Sequence, residues 1–65
     1  PSGPVADVLP LGVRVDEAAV YALDGSVKLR SSDTDILDMS GMVAGCYILR
    51  VKLAQRVSVI KIIKK

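Results

Sequence analysis

The chain has 65 residues, nine of them basic and seven acidic, for a formal net charge of +2. That length allows one domain at most, and a domain so small buries only about 60% of its unfolded surface, which leaves it marginally stable. Histidine is absent, which excludes a His-based triad and a His metal site.

The apolar share, 51%, is enough for a core, but Phe and Trp are absent and Tyr21 and Tyr47 are the only aromatics. The core must therefore come from Val, Ile, Leu, Met and Ala. The single cysteine, Cys46, allows no intrachain disulfide and reads as a small buried hydrophobe. No apolar run reaches the roughly 18 residues of a membrane-spanning helix, and no secretory leader is recognisable. The opening PSGP starts mid-sequence, so the chain is expected to be a fragment, residues 1–65, of a longer exported protein.

No window carries a helical period, whereas β-branched alternation recurs throughout. Asp7–Val15 reads as an extended strand, an edge or one broken at Pro10, because proline cannot donate to a ladder. Asp16 and Glu17 form a polar connection; within a strand they would point to opposite faces. Ala18–Leu23 is a second strand. Asp24-Gly25 then predicts a two-residue hairpin turn of type I′, with positive φ at both centres. Ser26–Arg30 is the return strand. Ser31–Asp35 reads as a polar loop, and Ile36–Met39 as a short strand.

In the loop Ser40–Gly45, Gly41 and Gly45 are expected to supply positive φ or close backbone approach. Cys46–Leu53 is the clearest strand, with Tyr47, Leu49, Val51 and Leu53 on one face and Cys46, Ile48, Arg50 and Lys52 on the other. Ala54–Arg56 is a tight turn, and Val57–Lys64 the last strand. About six strands with turns every 8–12 residues predict an all-β protein, a small antiparallel sandwich.

Charge is unevenly distributed. Residues 1–38 hold all seven acids and three bases, giving −4, whereas residues 39–65 hold six bases and no acid. The bland reading is a solvated face whose lysines guard an edge; the functional reading is a docking surface for something anionic. Single-strand nucleic-acid binders need stacking aromatics, which are missing here, so no nucleic acid is expected. Asp33 and Asp35 lack the other ligands of a calcium loop, and no phosphate-binding loop occurs. No enzymatic activity, cofactor or metal is expected.

Three motifs carry a resemblance. Pro4-Val5-Ala6-Asp7-Val8-Leu9-Pro10-Leu11 fits a segment of the form NP-x-x-D-x-L-x-L, with Gly3 in place of the usual Asn. Val20-Tyr21-Ala22-Leu23-Asp24-Gly25-Ser26-Val27 is similar to VYDLNGRLV. Leu37-Asp38-Met39-Ser40-Gly41-Met42-Val43-Ala44-Gly45-Cys46-Tyr47-Ile48-Leu49-Arg50-Val51 is similar to LDLSGLPAGVYILRV, and a basic strand follows. In this order they resemble the type A C-terminal sorting domain of the type IX secretion system of Bacteroidota. Pro10, Ser26 and Cys46 depart from its usual residues.

The resemblance implies an Ig-like antiparallel β-sandwich of about six to seven strands, here lacking its first edge strand. It implies a secretion signal that carries a fused cargo from the periplasm to the outer-membrane surface, or to the medium. The implied partners are the translocon, an outer-membrane shuttle protein and a sortase. Strand addition by a receptor would engage Lys61, Ile62, Ile63, Lys64 and Lys65. Pro4, Asp7, Tyr21, Asp24, Gly25, Asp38, Gly41, Gly45 and Tyr47 are structural residues of the motifs. Asp7 and Asp38 are expected to cap local turns, and Tyr47 to be core with its hydroxyl at the rim. An unpaired edge would favour a homodimer or strand exchange. The alternative function is a surface adhesion or carbohydrate-binding β-module, which would usually display exposed aromatics.

Overall fold

The computed structural model describes residues 4–5 and 7–65, with side chains from residue 7 onward. Residues 1–3, with Gly3 of the first motif, and Ala6 lie outside the described residues. The protein is all-β. Its strands are β1 (Pro4–Val5), β2 (Val8–Ala22), β3 (Val27–Asp38), β4 (Gly45–Leu53) and β5 (Arg56–Lys64). They form one sheet in the order β1-β5-β4-β2-β3, antiparallel except for the short β1–β5 pairing.

All six expected segments are extended, but two pairs of them are fused. Asp16-Glu17 is not a connection, and Ser31–Asp35 is not a loop; both lie inside strands. The reason is that the two polar stretches pair with each other, Glu17 with Ser32 and Ala18 with Ser31, so their backbone groups stay bonded without a turn. β2 nevertheless changes face there. Leu9 and Val15 point inward before the change, Ala18 and Val20 after it. Asp16 and Glu17 do point to opposite sides, Asp16 toward the β4–β5 turn and Glu17 onto the outer face.

A second irregularity creases the same pair of strands. Between Pro10 and Val15 the chain advances five residues while its partner moves only from Ile36 to Thr34. Gly12 absorbs the excess at φ +81°, a conformation that costs a residue with a Cβ about 1–2 kcal/mol. Across from it, Asp33 takes φ +49°, and Arg14 spans the crease. Its Nε donates to Asp33 Oδ1 (2.9 Å) and its Nη2 to the Asp33 carbonyl (3.0 Å). Pro10 sits in the half of β2 that pairs on one side only, where its missing N–H costs nothing.

The result is a ribbon, residues 8–15 against 34–38, that lies over the β4–β5 half of the sheet. Leu9, Val15 and Leu37 of the ribbon, with Met39, pack with Val20, Tyr47, Leu49 and Ile62 in one apolar cluster. A gap of about 90 Å³ remains at its margin, lined by Leu11 and Val13 on the ribbon and by Val51 and Ile60 beneath.

The hairpin after β2 differs from the expected type. Gly25 N–H donates to the Ala22 carbonyl (3.0 Å) and Ala22 N–H to the Ser26 carbonyl (2.9 Å). Only Gly25 has positive φ, at +92°. This is a three-residue loop, a turn followed by a glycine bulge, rather than a type I′ turn. Asp24 decides between them: its Oδ1 accepts from Ser26 N–H (2.9 Å) and Ser26 Oγ (2.7 Å). These bonds favour the ionised carboxylate and lower its pKa from the ordinary value. The β4–β5 turn is tight as expected. Ala54 sits at φ +56°, and its N–H is held by Asp16 Oδ2 at 2.8 Å.

The two loop glycines part company. Gly45 has φ +154°, but Gly41 has no positive φ and nothing lies within 4 Å of a Cβ placed on it. Gly41→Ala is therefore expected to be neutral or to stabilise by up to about 1 kcal/mol through the unfolded chain. Gly12→Ala should cost about 1–2 kcal/mol. Thermal melts of the two variants check this, and equal melting temperatures would mean that Gly12 does not hold the crease.

Candidate functional site

The third motif folds as one corner. Leu37 and Asp38 end β3, and Met39, fully buried, turns inward. Met39 N–H donates to the Asp7 carbonyl (2.6 Å), and Met42 N–H to the Met39 carbonyl (3.0 Å). Asp38 Oδ1 accepts from Ser40 N–H at 3.0 Å. Its expected turn-capping role is thus present, and hydrogen bonding to Ser40 lowers its pKa. Tyr47 then enters β4 with its ring buried and its hydroxyl donating to the Val43 carbonyl at 2.6 Å. That bond closes a loop of five residues over the core. It satisfies the one polar atom of the ring, as a buried tyrosine requires.

Asp7 is a correction. It does not cap a turn; its Oδ1 accepts from Lys64 Nζ at 2.9 Å. Lys64 is only 6% exposed, and its ammonium also reaches the Lys65 carbonyl at 3.2 Å. The inward face of β5 is Ile60, Ile62 and Lys64, so a lysine takes the last core-facing position and is neutralised by Asp7 from the chain's other end.

The tail residues therefore divide by parity. Ile62 (1% exposed) and Lys64 face inward; Lys61, Ile63 and Lys65 face out. β4 covers one edge of β5. On the other edge, β1 pairs with Ile63 and Lys64 only, so no described residue covers residues 56–62. Of the remaining motif residues, Pro4 pairs its backbone with Ile63, and Tyr21 is half-buried on the outer face of β2.

The outer face is what composition alone did not reveal, and strand register builds it. Glu17, Ala19 and Tyr21 of β2 run down its middle. Opposite them on β4 stand Lys52, Arg50 and Ile48, and beyond these on β5 Val57, Val59 and Lys61. Arg30 of β3 flanks Ala19 from the other side. Val57 and Val59 are exposed, as is Cys46, which lies opposite Ile63. The buried reading of Cys46 is thus overturned: alternation with the buried Tyr47 places it outward. Arg30, Arg50, Lys52 and Lys61 share this face with Glu17. The signal was present in β4, where Arg50 and Lys52 alternate with Leu49 and Val51, but Arg30 joins them only through non-local pairing.

Among the described residues no three His, Cys, Asp or Glu side chains cluster as metal ligands would. No helix among the described residues is long and apolar enough to cross a membrane. Searches of protein-family models, curated proteins and solved structures find no match to this chain.

Proposed function

We propose that this chain is a type A sorting domain of the type IX secretion system, an address without catalysis of its own. It would carry a fused cargo from the periplasm to the outer-membrane surface, read by the translocon and shuttle protein and removed by the sortase. The order of the three motifs carries the reading. What supports it is that the most specific of them behaves as one structural unit, pinned by the Tyr47–Val43 bond. A tyrosine hydroxyl bonded to backbone a few residues upstream is a hallmark of Ig-like Greek-key sandwiches. On this reading the creased sheet is a reduced Ig-like sandwich whose second layer is the ribbon of β2 and β3.

Recognition falls to the uncovered edge of β5 and its outward side chains. A receptor strand would pair with the free backbone groups, while Lys61 and Lys65 steer it by charge. Ile62 and Lys64 hold the strand in place from within. Removing residues 61–65 together would therefore destroy core and signal at once.

The test uses a periplasmic reporter joined through a linker to residues 1–65, in a bacterium with type IX machinery. The parent fusion is expected at the cell surface. The Lys61→Glu/Lys65→Glu variant is expected to accumulate in the periplasm with an unchanged thermal melt. Surface display of both to the same level would remove the basic strand from recognition. Retention of the parent would remove the secretion reading.

A further inference from the structure

The outer face holds a polar depression of about 80 Å³, lined by Glu17, Ala18, Ala19, Tyr21, Arg30 and Arg50. Its centre is Ala19. Arg30 on β3 and Arg50 on β4 both pair in register with this residue, one from each side. Two neighbouring strand spacings put their backbones about 10 Å apart, close enough for both guanidinium groups to converge above a methyl side chain. Ala19 lies on the face away from the core, with no described element packed over it, yet it is only 6% exposed, and Glu17, Tyr21, Arg30 and Arg50 line the depression with it.

Neither arginine forms an ion pair with a described residue; the ion pairs there are Arg14–Asp33 and Lys64–Asp7. Two like charges thus flank one small residue, with Glu17 at one end of the lining and no ion pair to either arginine among the described residues. Lys52 and Lys61 extend the positive field along β4 and β5, and Glu17 opposes it from one end. We propose that this depression is an anion-binding site for a phosphate monoester group, held between Arg30 and Arg50. A tetrahedral oxyanion offers oxygens to both forks at once, whereas a planar carboxylate is satisfied by one. Tyr21 closes one wall and accommodates the group that the phosphate esterifies. This site is independent of the secretion reading, and its lining includes none of the tail residues.

The test is an amide NMR titration of the 65-residue chain with phenyl phosphate, with sodium acetate as the charge control. Saturable shifts are expected at Ala19, Tyr21, Arg30 and Arg50, with acetate much weaker. Arg30→Gln and Arg50→Gln should each weaken binding about tenfold while the thermal melt stays put. Glu17→Gln should tighten binding, an effect that a purely structural role would not produce. Shifts spread evenly over the lysine positions, or unaltered in both arginine variants, would overturn the site. A parallel titration with phosphatidic acid vesicles separates the sources. Binding to both phenyl phosphate and vesicles assigns the group to a lipid headgroup, and binding to phenyl phosphate alone to a soluble ester. Vesicle binding with no response to phenyl phosphate overturns the pocket in favour of surface charge.

Discussion

Ile62→Ala is expected to destabilise the domain by about 3 kcal/mol, and Ile63→Ala, one residue on, by less than about 0.5 kcal/mol. Ile62 is 1% exposed within the central cluster, whereas Ile63 is 39% exposed on the outer face. A cavity left by Ile62 lies between the sheet and the ribbon, and neither layer can collapse without shifting the Gly12 crease. The total stability of a chain this size is about 3–10 kcal/mol, so the loss approaches unfolding. Urea denaturation followed by circular dichroism measures it. With a slope of about 1 kcal/mol per molar, the midpoint should fall by about 3 M for Ile62→Ala and barely move for Ile63→Ala. Equal shifts would mean that β5 does not present the faces described.

The second large effect lies at the Asp7–Lys64 pair. Asp7→Ala is expected to cost about 1–3 kcal/mol, because among the described residues the Lys64 ammonium then keeps only the Lys65 carbonyl at 3.2 Å in a site where it is 6% exposed. Asp7 itself is 67% exposed, which places the figure below that of a fully buried pair. Lys64→Met should be neutral or stabilising by about 1 kcal/mol, since it removes the charge together with its need for a partner. The double variant should resemble Lys64→Met alone, and the double-mutant cycle measures the coupling. A loss below about 0.5 kcal/mol for Asp7→Ala would show that the lysine simply swings its head into water.

A sequence discloses such features unevenly. β4 was legible because its apolar residues alternate, whereas β5, apolar on both faces in part, was legible as a strand but not in which face it buries. Tyr47 declared its place by the same rule, and that rule corrects the reading of Cys46 that rested on residue type. The Asp24-Gly25 hairpin was located but its geometry was not: the choice fell to one hydrogen-bonded neighbour, Ser26. Asp16-Glu17 and Ser31–Asp35 looked like loops because polar runs usually are. Here each run supplies the other's hydrogen bonds, and local pattern holds no record of such a pairing. The site divides along the same line. Lysines at the tail were visible as charge, but only the fold shows that Lys64 is occupied by Asp7. The pairing of Arg30 with Arg50 across Ala19 depends on two registers that no spacing encodes.

The place of β5 in this architecture has a consequence for when the chain can fold. The hairpin of β2 and β3 is local, but the face it covers is completed by Ile60 and Ile62, and the two ends of the chain meet at Pro4–Ile63 and Asp7–Lys64. Contacts of such long sequence separation form late, after most of the loop-closure entropy has been lost. Until Arg56–Lys64 is at hand, the ribbon has little to cover and β4 has one neighbour. A chain emerging in order from any narrow passage therefore remains open until β5 arrives. Folding is then a delayed, single event timed by the arrival of that strand.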